Sequence, residues 1–163
     1  MREVFNLAIF TNQARLSYTG GSVLSNVAVG ELLEAVSISK EAVSPSYLSG
    51  GTVSYAVSLV NTGSAAMSNI TLTDDLGAYE HDGGTLYPLS YVGGSLLYYV
   101  NGVLQAAPTV TAGPPLVVSG LEIPAGGNAL LVYEAEVSVY APLGEAAEIV
   151  NTVTVTGSGI TEP

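Results

Sequence analysis

Apolar and hydroxyl-bearing residues alternate along several segments of the chain. The clearest case is residues 52–61, and shorter stretches with the same period of two lie at residues 36–40, 70–73 and 152–156. Successive side chains of a β-strand point to opposite faces, so this pattern is typical of half-buried antiparallel strands. In the first segment the predicted buried face consists of Val53, Tyr55, Val57 and Leu59.

Glycine, proline and asparagine separate these segments at short intervals. Asn101-Gly102 lies between two apolar stretches and predicts a tight β-hairpin, and Asn61-Thr62-Gly63 predicts another chain reversal. Residues 130–140 form a further alternating segment, which predicts one long strand with Leu131, Tyr133, Ala135, Val137 and Val139 on its buried face. Because helix signals are nearly absent, the pattern predicts an antiparallel sandwich or barrel.

The first 34 residues predict a separate N-terminal β-hairpin, formed by residues 12–18 and 23–29 and able to pair with its own or a neighbouring sheet. Residues 35–158 are predicted to form the main domain, and residues 159–163 a linker. Residues 12–20 also echo residues 151–157, which suggests one unit of a tandem array or a chance similarity between two Thr- and Val-rich strands.

Composition narrows the class of protein. The chain has 163 residues, of which 48% are apolar and only 10% charged, so its surface is built mainly from Ser, Thr, Asn and Gly, as in many extracellular β-proteins. A net charge of −11 disfavours nucleic acid and anionic membranes as partners. Cysteine is absent, which excludes disulfides and thiolate metal sites. Residues 1–25 make a poor signal peptide, since polar residues interrupt the apolar part.

Several landmarks of the sequence resemble the conserved-repeat domain of bacterial cell-surface proteins, over residues 36–157. They are Ile38-Ser39-Lys40, the stretch GTVSYAVSLVNTG at 51–63, the stretch NITLTDD at 69–75, and IVNTVTVTG at 149–157. The resemblance implies an immunoglobulin-like antiparallel β-sandwich, repeated in tandem on Gram-positive-type cell surfaces, without cofactor or enzymatic activity on substrates. One departure is that no proline follows Asp75, where members usually have a Leu-Pro turn.

Three polar residues are predicted to point toward the core from three strands: Lys40, the only lysine, together with Asp74 and Asn151. A lone buried charge costs several kcal/mol, so such residues should be paired or reactive. Their order resembles collagen-adhesin-type domains that form intramolecular isopeptide bonds, which implies a Lys40–Asn151 cross-link with Asp74 as the proton shuttle. Burial favours the neutral amine that can attack the carboxamide.

Simpler interpretations of the same residues remain open. Lys40 and Asp74 could form an ordinary buried ion pair, Lys40 could extend along a strand end to solvent, and Asn151 could cap a bulge. A one-residue slip in register would make Asp75 the acid instead. His81, the only histidine, lies in a stretch that predicts an exposed loop, and the nearby carboxylates match no known cation-binding loop, so no metal site is predicted.

Function therefore has three candidates. The first is a structural stalk, spacer or adhesive repeat on the bacterial surface, associated with neighbouring repeats or as a homo-oligomer. The second is an adhesin that binds glycan or host protein through exposed tyrosines, with Tyr87, Tyr91, Tyr98 and Tyr99 as candidates. The third is a subunit that self-assembles by N-terminal strand exchange, which predicts oligomers that disappear when residues 1–34 are deleted.

Overall fold

The computed structural model describes residues 9–31, 36–44, 46–144 and 147–157, and the predicted linker at 159–163 lies outside them. In the described part of the chain, no helix is long and apolar enough to cross a membrane. The strands are β1 Ile9–Asn12, β2 Arg15–Tyr18, β3 Gly21–Leu24, β4 Ala28–Glu31, β5 Val36–Ala42, β6 Thr52–Asn61, β7 Met67–Asp74, β8 Tyr79–His81, β9 Gly84–Leu86, β10 Leu89–Tyr91, β11 Leu97–Val100, β12 Val103–Leu104, β13 Thr109–Thr111, β14 Leu116–Ile123, β15 Asn128–Val137 and β16 Val153–Thr156.

The chain divides into two compact units, Met1–Glu34 and Ala35–Pro163. In the first unit β1 pairs with β4 and β2 pairs with β3. The β2–β3 turn is tighter than the sequence suggested, because Tyr18 pairs directly with Gly21 and only two residues connect the strands. Gly20 takes a φ of 101° there, in the left-handed region that glycine adopts without strain.

The second unit is an immunoglobulin-like antiparallel β-sandwich, as predicted. One sheet has the strand order β12, β11, β15, β6, β5, with β10 pairing with β15 beyond the end of β11. The other sheet has the order β13, β14, β7, β16. The first and last strands of this unit, β5 and β16, are therefore edge strands of different sheets.

The core lies between the two sheets and follows the alternation of the sequence. Every second residue of β6 and of β15 is buried, as predicted, and β7 and β14 contribute the facing side chains. Each fully buried aliphatic or aromatic side chain stabilises the fold by about 1.5–3 kcal/mol relative to exposure. The central members are Val57, Leu59, Ile70, Leu72, Val118, Leu121, Leu131 and Tyr133.

The end of β15 differs from the sequence prediction. The strand stops at Val137, and Val139, predicted to be buried, is 83% exposed. Ser138 causes the change, because its N–H donates to Pro88 O and its hydroxyl donates to Tyr87 O. The prediction of a strand through residue 140 is therefore wrong.

Two reversals follow the predicted chemistry. Asn101-Gly102 forms the two-residue turn between β11 and β12, with φ values of 49° and 77°. Asn61, which is fully buried at the end of β6, donates to Ala65 O and Pro124 O and accepts the N–H of Gly63. A buried carboxamide satisfied in this way fixes the reversal toward β7.

The buried tyrosines predict a sharp response to alkali. Burial raises the pKa of Tyr55, Tyr98 and Tyr133 above the ordinary value of 10.0. Because the folded state holds these protons more tightly than the unfolded state, its stability is complete below pH 10 and falls as pH rises further. We expect phenolate absorbance of these residues to appear together with loss of near-ultraviolet circular dichroism. Ionisation of all ten tyrosines with the fold intact would contradict this expectation.

Candidate functional site between the two sheets

An ion pair lies at the interface of the two sheets. Lys40 extends from the edge strand β5, and Asp74 is the last residue of β7 in the opposite sheet. Lys40 Nζ is 2.7 Å from Asp74 Oδ2, with 9% of the lysine side chain and none of the aspartate side chain exposed. The alternation of the sequence placed both side chains on the inner face, and β5 pairs with β6 in a register that sets Lys40 opposite Val57.

Asp74 has further donors besides the lysine. The Tyr133 hydroxyl donates to Oδ2, the same oxygen that accepts from Lys40. The backbone N–H of Leu76 donates to Oδ1 at 2.8 Å. A buried carboxylate is costly unless its oxygens accept hydrogen bonds, and these three donors offset that cost.

The turn after Asp74 explains why no proline occurs there. Leu76 and Gly77 have φ values of 56° and 72°, whereas proline fixes φ near −65°. Proline also lacks the N–H, and both of these N–H groups are used: Leu76 donates to Asp74 and Gly77 donates to Asp75 Oδ1. A buried leucine in the left-handed region is strained, and here the strain supports the carboxylate of the site.

Asp75, the alternative acid considered above, makes other contacts. Its Oδ1 accepts the N–H groups of Gly77 at 2.8 Å and Thr152 at 2.9 Å, and its own N–H donates to Thr152 O at 3.1 Å. The register does not slip, so Asp74 and not Asp75 faces the lysine. Asp75 instead fixes the backbone directly beside Asn151.

Asn151 lies two residues before Val153, which pairs with Asp74. Its Oδ1 and Nδ2 are both buried, and neither has a hydrogen-bond partner among the described residues. The carboxamide is close enough to the Tyr55 hydroxyl to oppose the rise in the pKa of that tyrosine, although the two groups do not reach hydrogen-bond geometry. An unsatisfied buried polar group costs about 1–3 kcal/mol, so this carboxamide needs an explanation.

The surroundings of Lys40 make its ammonium group easier to deprotonate. Burial lowers the pKa of the amine, and the nearby Asp74 carboxylate opposes that effect without cancelling it. The Tyr55 ring lies under the amine, with 4.8 Å between Nζ and the ring centroid. The site thus brings together an amine of lowered pKa, a carboxyl group that can accept its proton and, next to Tyr55, an unpartnered carboxamide.

Tyr55 and Tyr133 were predicted only as core residues. They pair directly across β6 and β15, and their rings stack with centroids 5.7 Å apart. Alternation alone placed them on the inner face, but a buried tyrosine needs a partner for its hydroxyl. That requirement was the available signal that both residues face polar groups.

The four tyrosines proposed for ligand binding are not exposed. Tyr98 is buried, and its hydroxyl donates to Glu122 O, while Tyr87, Tyr91 and Tyr99 are half-buried. Burial removes Tyr98 from the surface, and ligand binding through the other three tyrosines stays a prediction. His81 is exposed at the tip of the β8–β9 hairpin, where a loop was expected.

Strand exchange by the N-terminal unit stays a prediction.

The comparisons with known proteins show the fold. The chain is similar to a structure of the pilus backbone protein RrgB from Streptococcus pneumoniae, with a TM-score of 0.54 and 15% identity over 74% of this chain and 31% of that one. The full-length RrgB structure gives a TM-score of 0.54 at 13% identity, over 79% of this chain and 23% of that one. The chain thus spans less than a third of the pilus protein. No protein-family model matches the chain, and a search of curated proteins gives no match.

Gly77 should be the least replaceable residue of the turn that supports the site. An added Cβ would lie 2.6 Å from Ile149 Cγ2, in addition to the left-handed φ. We expect Gly77→Ala to lower the free energy of unfolding by about 3 kcal/mol, the sum of a backbone and an overpacking cost. Denaturant titration measures the loss.

Gly94 provides a matched control for this substitution. It has a similar φ of 81°, but nothing lies within 4 Å of an added Cβ. Gly94→Ala should therefore cost only the backbone part, about 1 kcal/mol. Equal losses for the two variants would show that contact with Ile149 is unimportant.

Proposed function

We propose that this chain is a structural module of a bacterial cell-surface protein, a stalk, spacer or adhesive repeat, stabilised by a self-formed amide bond between Lys40 and Asn151. The observation that carries the proposal is the buried Asn151 carboxamide without a partner, near the ring that lies under the Lys40 amine. Bond formation would give the buried Lys40 amine and the Asn151 carboxamide a shared role.

The reaction uses only side chains of the site. A proton moves from the Lys40 ammonium to the Asp74 carboxylate, 2.7 Å away. The neutral amine then attacks Asn151 Cγ, forming the Nζ–Cγ bond, while the protonated carboxyl donates to the carbonyl oxygen and stabilises its growing charge. A second amine proton reaches Nδ2 by way of Asp74, the Cγ–Nδ2 bond breaks, and ammonia leaves.

The product would join the two sheets at their edges. Lys40 lies on β5, and Asn151 precedes β16, so the bond would tie the first strand of the sandwich to the last. It would close a loop of about a hundred residues and constrain the unfolded chain by about 4–5 kcal/mol. In a chain without cysteine, this bond would supply the stability that disulfides give to other extracellular domains.

Surface location and association with neighbouring repeats or subunits are the broader parts of the proposal. The low charge content and hydroxyl-rich strands support an extracellular setting. The fold is shared with the pilus backbone protein RrgB. We infer that this chain likewise contributes length and strength and does not act on a substrate.

Intact mass spectrometry of the denatured protein tests the bond. We expect a mass lower than the sequence mass by one ammonia, and the full sequence mass in Lys40→Ala and in Asn151→Ala. Proteolysis should yield a branched peptide that contains residues 40 and 151. A full-mass wild-type chain, with residues 40 and 151 in separate peptides, would remove the proposal.

One side reaction needs its own control. Asn101-Gly102 can lose ammonia by forming a succinimide, which gives the same mass change. Asn101→Ala should leave the mass deficit of the folded protein unchanged, because Asn101 lies in the β11–β12 turn and takes no part in the Lys40–Asn151 bond.

The bond should also appear in the stability of the fold. Asn151→Ala leaves the Lys40–Asp74 pair in place, so the difference from wild type reports mainly the cross-link. We expect a loss of about 4–5 kcal/mol from release of the closed loop, measured by guanidinium titration. A loss under about 1 kcal/mol would mean that no loop was closed.

A further inference from the structure

Asp74 is held by two groups that take no part in bond formation. The Leu76 N–H holds Oδ1, and the Tyr133 hydroxyl holds Oδ2, the oxygen that also accepts from Lys40. Tyr133 is only 1% exposed and belongs to the sheet that carries Lys40, so its hydrogen bond crosses the sandwich. The carboxyl group is therefore fixed at both oxygens, once from the turn that follows β7 and once from the opposite sheet.

Tyr133 is itself held by its neighbours. Its ring stacks on Tyr55 at an interplanar angle of 27°, and Tyr91 packs against it at a centroid distance of 6.4 Å. Tyr55 in turn supports Lys40 Nζ from below. One stacked pair of rings thus contacts both partners of the proton transfer.

We propose that Tyr133 is a positioning residue for the cross-linking reaction. Its hydroxyl fixes Asp74 Oδ2 against the Lys40 amine, and the Tyr55 ring, which stacks on Tyr133, contacts that amine. The inference rests on the proposed function. Oδ2 must receive the proton of Lys40 and later deliver one to the departing nitrogen, so a small displacement of this oxygen affects two steps. Without the hydroxyl, Oδ2 is held only by the flexible lysine that reacts with it.

Tyr133→Phe tests this role because it keeps the ring and its stacking and removes one oxygen. Tyr98→Phe is the matched control, since Tyr98 is also buried in the same sheet and its hydroxyl also bonds across to the other sheet, at Glu122. Chains made in a short pulse of cell-free synthesis are quenched in denaturant at intervals, and loss of ammonia is followed by intact mass. We expect Tyr133→Phe to be slower by about tenfold to a hundredfold and Tyr98→Phe to match wild type.

A second substitution covers the case in which Tyr133→Phe does not fold. Replacing Tyr133 alone by a ring-fluorinated tyrosine keeps the shape and strengthens the donor, so loss of ammonia should be at least as fast as in wild type, whereas disturbed packing would slow it. An unchanged rate in Tyr133→Phe, a slower fluorinated variant, or equal slowing by Tyr98→Phe would overturn the role of Tyr133 while the cross-link stands. A wild-type chain that never loses ammonia would overturn the proposed function and this inference with it.

Discussion

The burial of one charged pair between two sheets constrains the rest of this structure. An exposed Lys–Asp pair contributes little and demands nothing of its neighbours, but Asp74 is completely buried, so each of its oxygens needs donors. Those donors explain otherwise unrelated features. Leu76 takes a strained left-handed conformation that supports its N–H bond to Oδ1, and Tyr133 extends its hydroxyl across the core to Oδ2.

The same burial favours conversion of the ion pair to a neutral amide. As an ion pair, the site keeps two charges and an unpartnered carboxamide away from water, and each of these is unfavourable. An amide bond between Lys40 and Asn151 would replace them by one neutral amide and a protonated Asp74, and ammonia would escape to solvent. Desolvation, which lowers the pKa of Lys40, therefore favours both the reactive amine and the uncharged product.

The sequence predicted what depends on alternation within a strand and could not predict what depends on contact between distant strands. Parity placed Lys40, Asp74 and the core of β6 correctly, because a period of two needs no knowledge of neighbours. Ile38 shows the limit: it is in phase with Lys40 but 41% exposed, since β5 is an edge strand. The end of β15 at Val137 likewise depends on the distant backbone of Tyr87 and Pro88, which no local pattern reveals.

The position of the proposed bond also bears on how the domain would carry load. β5 and β16 are edge strands of opposite sheets, and edge strands have pairing on one side only, so each is held by the hydrogen bonds of a single neighbouring strand. A covalent link from Lys40 to Asn151 would pass tension from residues 36–40 directly to residues 151–157. The intervening chain, which contains almost the whole buried core, would then bear none of the force. A stalk built from such units would extend only through its linkers, and its hydrogen-bonded sheets would stay intact at forces that unfold an unlinked sandwich.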